Sequence, residues 1–205
     1  MSCSSFPDSA GRPLVADASV LINLDASGFA ETIITASCGV LHATRNAVDE
    51  VMEGERRGYG NAGGMRMLTE RGLLRVVDIG DREEPVYRAL VEGSAARTLD
   101  DGEAATIAYA VENRAVALID EKKAQRICEE QYSGTPVVTT TDMMLHASVK
   151  AALGDQHVTA LHAALIKARM HVPPHYVETM VELLGNRRSL ECPSLPRRIV
   201  ARAAQ

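Results

Sequence analysis

An α/β domain built on a small, mostly parallel sheet is the fold class this sequence predicts, and three observations carry the prediction. Short apolar runs of strand length alternate with stretches whose apolar residues recur at helical spacing. The clearest run, Ala115-Val116-Ala117-Leu118-Ile119, is apolar at every position, as expected of a strand covered on both faces. Aromatic residues make up only 3% of the chain, with no Trp, so the core must be built from Ala, Val, Leu, Ile and Met, which suits helices around a small sheet.

Taken in order, 13–16 reads as a first strand that stops at Asp17, and Ala18-Ser19 leads into a helix through Val20, Leu21 and Leu24. Residues 39–42 read as a second strand, with Thr44 or Asn46 capping a helix through Val48, Val51 and Met52. The glycine-rich stretch 58–64 reads as a connector, because it lacks the Gly-Lys-Ser/Thr ending of a phosphate-binding loop. A helix over 65–72, a strand over 74–79 and a helix over 84–96 follow. The spacing of Ala104, Ile107, Ala108 and Val111 predicts a helix over 101–113. The strand over 115–119 ends at Asp120, and 121–131 is helical. A short strand over 136–138 precedes helices over 141–153, 159–170 and 176–184. Strands separated by helices need crossover connections, which make most of the sheet parallel. The expected organisation is an N-terminal extension (1–13), one domain (14–185) and a basic C-terminal tail (186–205) carrying Arg187, Arg188, Arg197, Arg198 and Arg202.

The 205 residues and 46% hydrophobic content suffice for a real core. No apolar run approaches the roughly 20 residues of a membrane span, and 1–13 lacks the charged-then-apolar pattern of a secretory signal, so a cytoplasmic protein is expected. Cys3, Cys38, Cys128 and Cys192 are scattered, without zinc-site spacing, and are expected to be reduced. The six histidines show no H-E-x-x-H pattern and read as surface or satisfied core residues, and no G-x-S-x-G elbow is present. A net charge of -5 makes any nucleic-acid contact local, for example at Lys122, Lys123 and Arg126.

The acids are the informative residues. Asp17 and Asp120 each follow a strand, at the edge where open parallel sheets bind ligands, although Asp there is also a good helix N-cap. Glu103 has a rival reading as the partner of Asp100 in a capping box, Glu50 as a complement to its helix dipole, and Asp142 as a helix cap after three threonines. If Asp17, Glu50, Glu103 and Asp120 crowd together, their mutual repulsion calls for a cation, and an all-oxygen set suits Mg²⁺ or Mn²⁺.

The stretch 15–22, VADASVLI, resembles the opening strand and turn of PIN-domain nucleases. Val48-Asp49-Glu50-Val51, Leu99-Asp100-Asp101-Gly102-Glu103-Ala104 and Ala117-Leu118-Ile119-Asp120-Glu121 resemble that family's second, third and fourth acids, in the expected order. The resemblance runs from Leu14 to Leu184 and is closest to a prokaryotic subgroup that includes VapC-like toxins. It implies a three-layer α/β/α fold with Asp17, Glu50, Glu103 and Asp120 holding one or two Mg²⁺ or Mn²⁺ ions. Ser19 and Asn23 would support the set, while Lys122, Lys123 and Arg126 would contact substrate. It further implies hydrolysis of single-stranded RNA, a homodimer, and a small antitoxin partner if the chain is the toxin of a type II toxin–antitoxin pair. Two positions depart from the pattern: Gln125 stands where relatives often carry Arg, and Ala105 where a further acid is common. The other reading, a nonhydrolytic RNA- or protein-binding module on the same fold, draws on Gln125 and the negative net charge.

Overall fold

Strands at the centre of the sheet form where consecutive residues are apolar and covered from both sides, whereas those beside them carry polar residues such as His42 and Arg75. In the computed structural model, which describes residues 11–57, 63–94 and 97–203, five strands make one sheet. They are β1 (Leu14–Ala16), β2 (Leu41–Thr44), β3 (Leu74–Val77), β4 (Val116–Leu118) and β5 (Val137–Val138). The order is β3-β2-β1-β4-β5 and every pairing is parallel.

Alternation along the strands separates two cores. Leu14 and Ala16 of β1, with Val116 and Leu118 of β4, face a large cluster. That layer holds α1 (Ala18–Ser27), α2 (Ala30–Ser37), α3 (Arg45–Arg56) and α4 (Gly63–Glu70). It also holds α8 (Thr140–Leu145), α9 (Ala147–Leu153), α10 (His157–Lys167), α11 (Val177–Glu191) and α12 (Arg197–Ala203). Val15, Ala117 and Ile119 face the opposite way, onto α5 (Glu84–Val91), α6 (Asp101–Glu112) and α7 (Lys122–Gln131). This is the three-layer α/β/α arrangement. Both faces of β1 and β4 are fully buried, at about 1.5–3 kcal/mol for each Val, Leu or Ile removed from water.

The local signals place most elements, with instructive exceptions. Thr44, not Asn46, caps α3, its hydroxyl accepting from the Ala47 amide at 3.3 Å. Helix α2 was not expected; it buries Ile33 and Ile34 in one short amphipathic segment. The single helix expected over 141–153 is two, because His146 (ψ 142°) is extended and joins the end of α8 to the start of α9. Helix α5 ends at Val91, and 95–96 of the expected 84–96 lie outside the described residues, as do 58–62 of the connector and most of the N-terminal extension.

The expected C-terminal tail is a further correction. The chain bends at Gly185 (φ 71°), where only glycine is at ease, then resumes a helix to Glu191 and forms α12. Cys192, Leu195 and Val200 are buried in the large core, so these residues are anchored by burial that their arginine-rich sequence disguises. Among the described residues Cys38, Cys128 and Cys192 are free thiols, and no helix is long and apolar enough to cross a membrane.

Leu195→Ala should lower the unfolding free energy by about 2–5 kcal/mol, as for a leucine emptied from a packed core. Urea denaturation measures this directly. A change within a few tenths of a kcal/mol would mean that the C-terminal helices do not belong to the core.

Candidate functional site

The strand order reverses at β1: β2 and β3 lie on one side of it, β4 and β5 on the other. Connections leaving β1 and β4 therefore diverge, and the crevice between them opens at the carboxyl edge of the sheet. Asp17 is the first residue after β1 and Asp120 the second after β4, so both stand at this opening. The Asp17 amide donates to the Leu118 carbonyl at 3.1 Å, which ties the two strand ends together.

Asp17 is the N-cap of α1, its Oδ1 accepting from the Ser19 amide. Capping and site geometry thus coincide rather than compete. Asp120 is bound more completely: Oδ2 accepts from Asn23 Nδ2 (2.7 Å) and Thr140 Oγ1 (2.6 Å), and Oδ1 from the Thr140 amide (2.8 Å). Two donors saturate Oδ2, while Oδ1 keeps a lone pair for a further ligand. Both carboxylates are buried, Asp17 at 3% and Asp120 at 6% exposure.

Glu103 comes from the first turn of α6 and Glu50 from the second turn of α3. The expected capping box is half absent, since the Asp100 side chain makes no cap hydrogen bond. Glu103 is half-buried, and Glu50 is exposed at the rim. Gly102 leaves room for the Glu50 carboxylate: a Cβ there would stand 2.6 Å from Glu50 Oε2.

Charge binds these residues into one electrostatic group. Burial, then Asp120, pushes the Asp17 carboxyl up to about 7, Ser19 only partly offsetting this, and Glu50 adds to the rise. Burial, then Asp17, Glu121 and Asp100, pushes Glu103 up to about 7. Burial also raises Asp120 against the pull of Thr140, Asn23 and His171, and burial with Asp100 and Asp101 raises Glu50. Glu121 is otherwise occupied as the N-cap of α7, accepting from the Ala124 amide at 2.7 Å.

No group of three or more His, Cys, Asp or Glu side chains among the described residues stands close enough to ligate one ion directly. The donor chemistry nevertheless fits Mg²⁺ or Mn²⁺, which take one or two carboxylates and keep several waters. The buried Ser19 Oγ, near Asp17 yet without a well-formed hydrogen bond, is a polar atom suited to such a water.

Beside the acids lies a cavity of about 460 Å³, whose walls include Asn23, Asp120 and Lys122 and the segment 168–171. Of the three expected cationic contacts only Lys122 lines it. Lys123 does not, and Arg126 turns along α7 to Glu130 at 3.4 Å. Gln125 donates from Nε2 to the Ile119 carbonyl (2.8 Å), bracing the end of β4. Sequence reasoning missed Thr140, Arg169 and His171. Thr140 was accessible in principle, since it is the second residue after β5 as Asp120 is the second after β4. Arg169 and His171 arrive only because α10 packs against α1. Asp142 completes a capping box with Thr139 and accepts from the Tyr176 hydroxyl at 2.7 Å.

With ordinary values of 3.8 and 4.5, Asp17 and Glu103 release their protons in the unfolded chain at a lower pH than in the folded one. The folded state then binds more protons between about pH 4 and about 7, and its stability falls as pH rises through that window. Thermal unfolding of metal-free protein should follow this trend, and Asp17→Asn should flatten it. Mg²⁺ or Mn²⁺ should raise the midpoint more at pH 7.5 than at pH 5. Identical pH profiles for the two proteins would contradict the electrostatic picture.

No curated protein and no solved structure gave a significant match to this chain. A family model described as DUF3368, PIN domain, matches residues 13–186, which takes in β1 to β5 and all four acids. The chain therefore belongs to the PIN-domain family.

Proposed function

We propose that this PIN domain is a divalent-metal-dependent endoribonuclease that hydrolyses phosphodiester bonds of single-stranded RNA. PIN domains are generally metal-dependent nucleases, and the observation that carries the reading is the coupled burial of Asp17 and Asp120 at the switch point of the sheet. A bound Mg²⁺ or Mn²⁺ would neutralise charge on the phosphate and favour ionisation of the attacking water. Asp17 and Asp120 would supply oxygen donors at the base of the crevice, with Glu103 above them and Glu50 at the rim. Asn23 and Thr140 would keep Asp120 oriented, and Lys122 would steady the phosphate from the cavity side.

A place as the toxin of a type II toxin–antitoxin pair, with a homodimer and a small protein inhibitor, belongs to the same proposal and rests on family membership. The nonhydrolytic binding module is the second reading. What favours it is Gln125, whose side chain is committed to the Ile119 carbonyl rather than offered to a phosphate.

Single-stranded RNA incubated with Mg²⁺ or Mn²⁺ should be cleaved, with loss on chelation and a drop of about 100-fold or more in Asp17→Asn and Asp120→Asn. Equal cleavage by wild type and Asp17→Asn would sink the assignment. RNA binding without cleavage under any divalent ion would favour the binding module.

A further inference from the structure

The far wall of the cavity beside Asp120 has features that the acid set does not use. The segment 168–171, which follows α10, lines this cavity together with Ile22 of α1, Lys122 of α7 and the capping Glu121. Arg169 adopts a left-handed backbone (φ 53°) directly after the helix end, where glycine is the usual occupant. An L-residue held there is strained where glycine would not be. The segment is also fixed. Thr141 Oγ1 donates to the His171 carbonyl at 2.9 Å, the Met170 amide donates to Ala164 at 3.3 Å, and Met170 is 1% exposed.

Charge and surface then divide the cavity. Arg169 and Lys122 are exposed and have no carboxylate partner among the described residues, unlike Arg126. Ile22 is a large aliphatic side chain left 39% exposed on an otherwise well-buried helix, and it faces the same space. A cavity of about 460 Å³ falls within the roughly 300–1,000 Å³ of small-molecule sites.

We propose that this cavity holds one unstacked nucleotide of single-stranded RNA beside the acidic crevice. Its phosphate lies between Lys122 and Arg169, and its base rests on the apolar surface of Ile22 and Ala168. Only an unpaired base can leave its stack and enter, so the pocket selects single strands over duplexes. The proposal rests on the RNA reading above, but it concerns binding and specificity rather than the chemical step. Arg169 and Ile22 are positioning residues for the substrate.

Binding of a fluorescent single-stranded RNA oligonucleotide, followed by anisotropy in EDTA, separates affinity from cleavage. Arg169→Gly removes the guanidinium and relieves the backbone, so the variant should unfold no earlier than wild type. Its Kd should rise about tenfold, and the slope of log Kd against log salt should shrink by about 0.7, the signature of one lost phosphate contact on a single strand. Ile22→Ser should weaken binding without changing the slope. Arg114 has the same left-handed backbone (φ 51°) but precedes β4 at the opposite edge of the sheet, so Arg114→Gly should change neither quantity. With Mn²⁺, Arg169→Gly should raise KM and leave kcat within about twofold.

Wild-type affinity and salt slope in both Arg169→Gly and Ile22→Ser would overturn the pocket, as would duplex RNA binding as tightly as the single strand. The two readings fail separately. Arg169-dependent binding without cleavage would remove the nuclease and keep the pocket, whereas Arg169-independent cleavage would do the reverse.

Discussion

Two carboxylates buried at the ends of neighbouring strands set the terms for the rest of this molecule. Asp17 and Asp120 are each removed from water, and Asp120 raises the proton affinity of Asp17. A buried anion without compensation costs several kcal/mol, so the surrounding chain is arranged to supply donors. The Ser19 amide at the start of α1 serves Asp17, while Asn23 and both polar groups of Thr140 serve Asp120. Even with these donors the Asp17 carboxyl stands near 7, which leaves the pair short of positive charge at neutral pH.

The architecture explains how such a pair can persist. Strands β1 and β4 are covered on both faces by separate cores, so their ends are held in register regardless of the repulsion beyond them. Glu103 and Glu50 are carried by α6 and α3, which pack against each other, and Gly102 leaves room between them for the Glu50 carboxylate. The deficit of positive charge is thus spread from a buried base, Asp17 and Asp120, to a wetter rim. Lys122 and Arg169 supply cations only on the cavity side of Asp120.

How much of this was legible before the structure depended on whether a residue's role was local. Asp17 and Asp120 could be read because each terminates an apolar run, and the unbroken run at 115–119 announced a strand buried on both faces. Glu103 and Glu50 were legible only through family resemblance, since capping and dipole effects explain such acids equally well from sequence. Helix α2 was obscured because it is short and its adjacent Ile33 and Ile34 suit either secondary structure. The C-terminal helices were hidden by proline and arginine, although Cys192, Leu195 and Val200 anchor them. Arg169 and His171 had no local signal, because their approach to Asp120 is created by the packing of α10 on α1.

The central proposal is that Asp17, Asp120 and Glu103 together hold a divalent cation, in part through water. A crystal of the protein soaked in Mn²⁺, with anomalous scattering recorded at the manganese edge, tests it most directly. The account predicts an anomalous peak within ligand distance, about 2.0–2.3 Å, of an Asp17 or Asp120 oxygen, with Glu103 reaching the ion directly or through a water. Carboxylates pointing apart with no peak between them would contradict it.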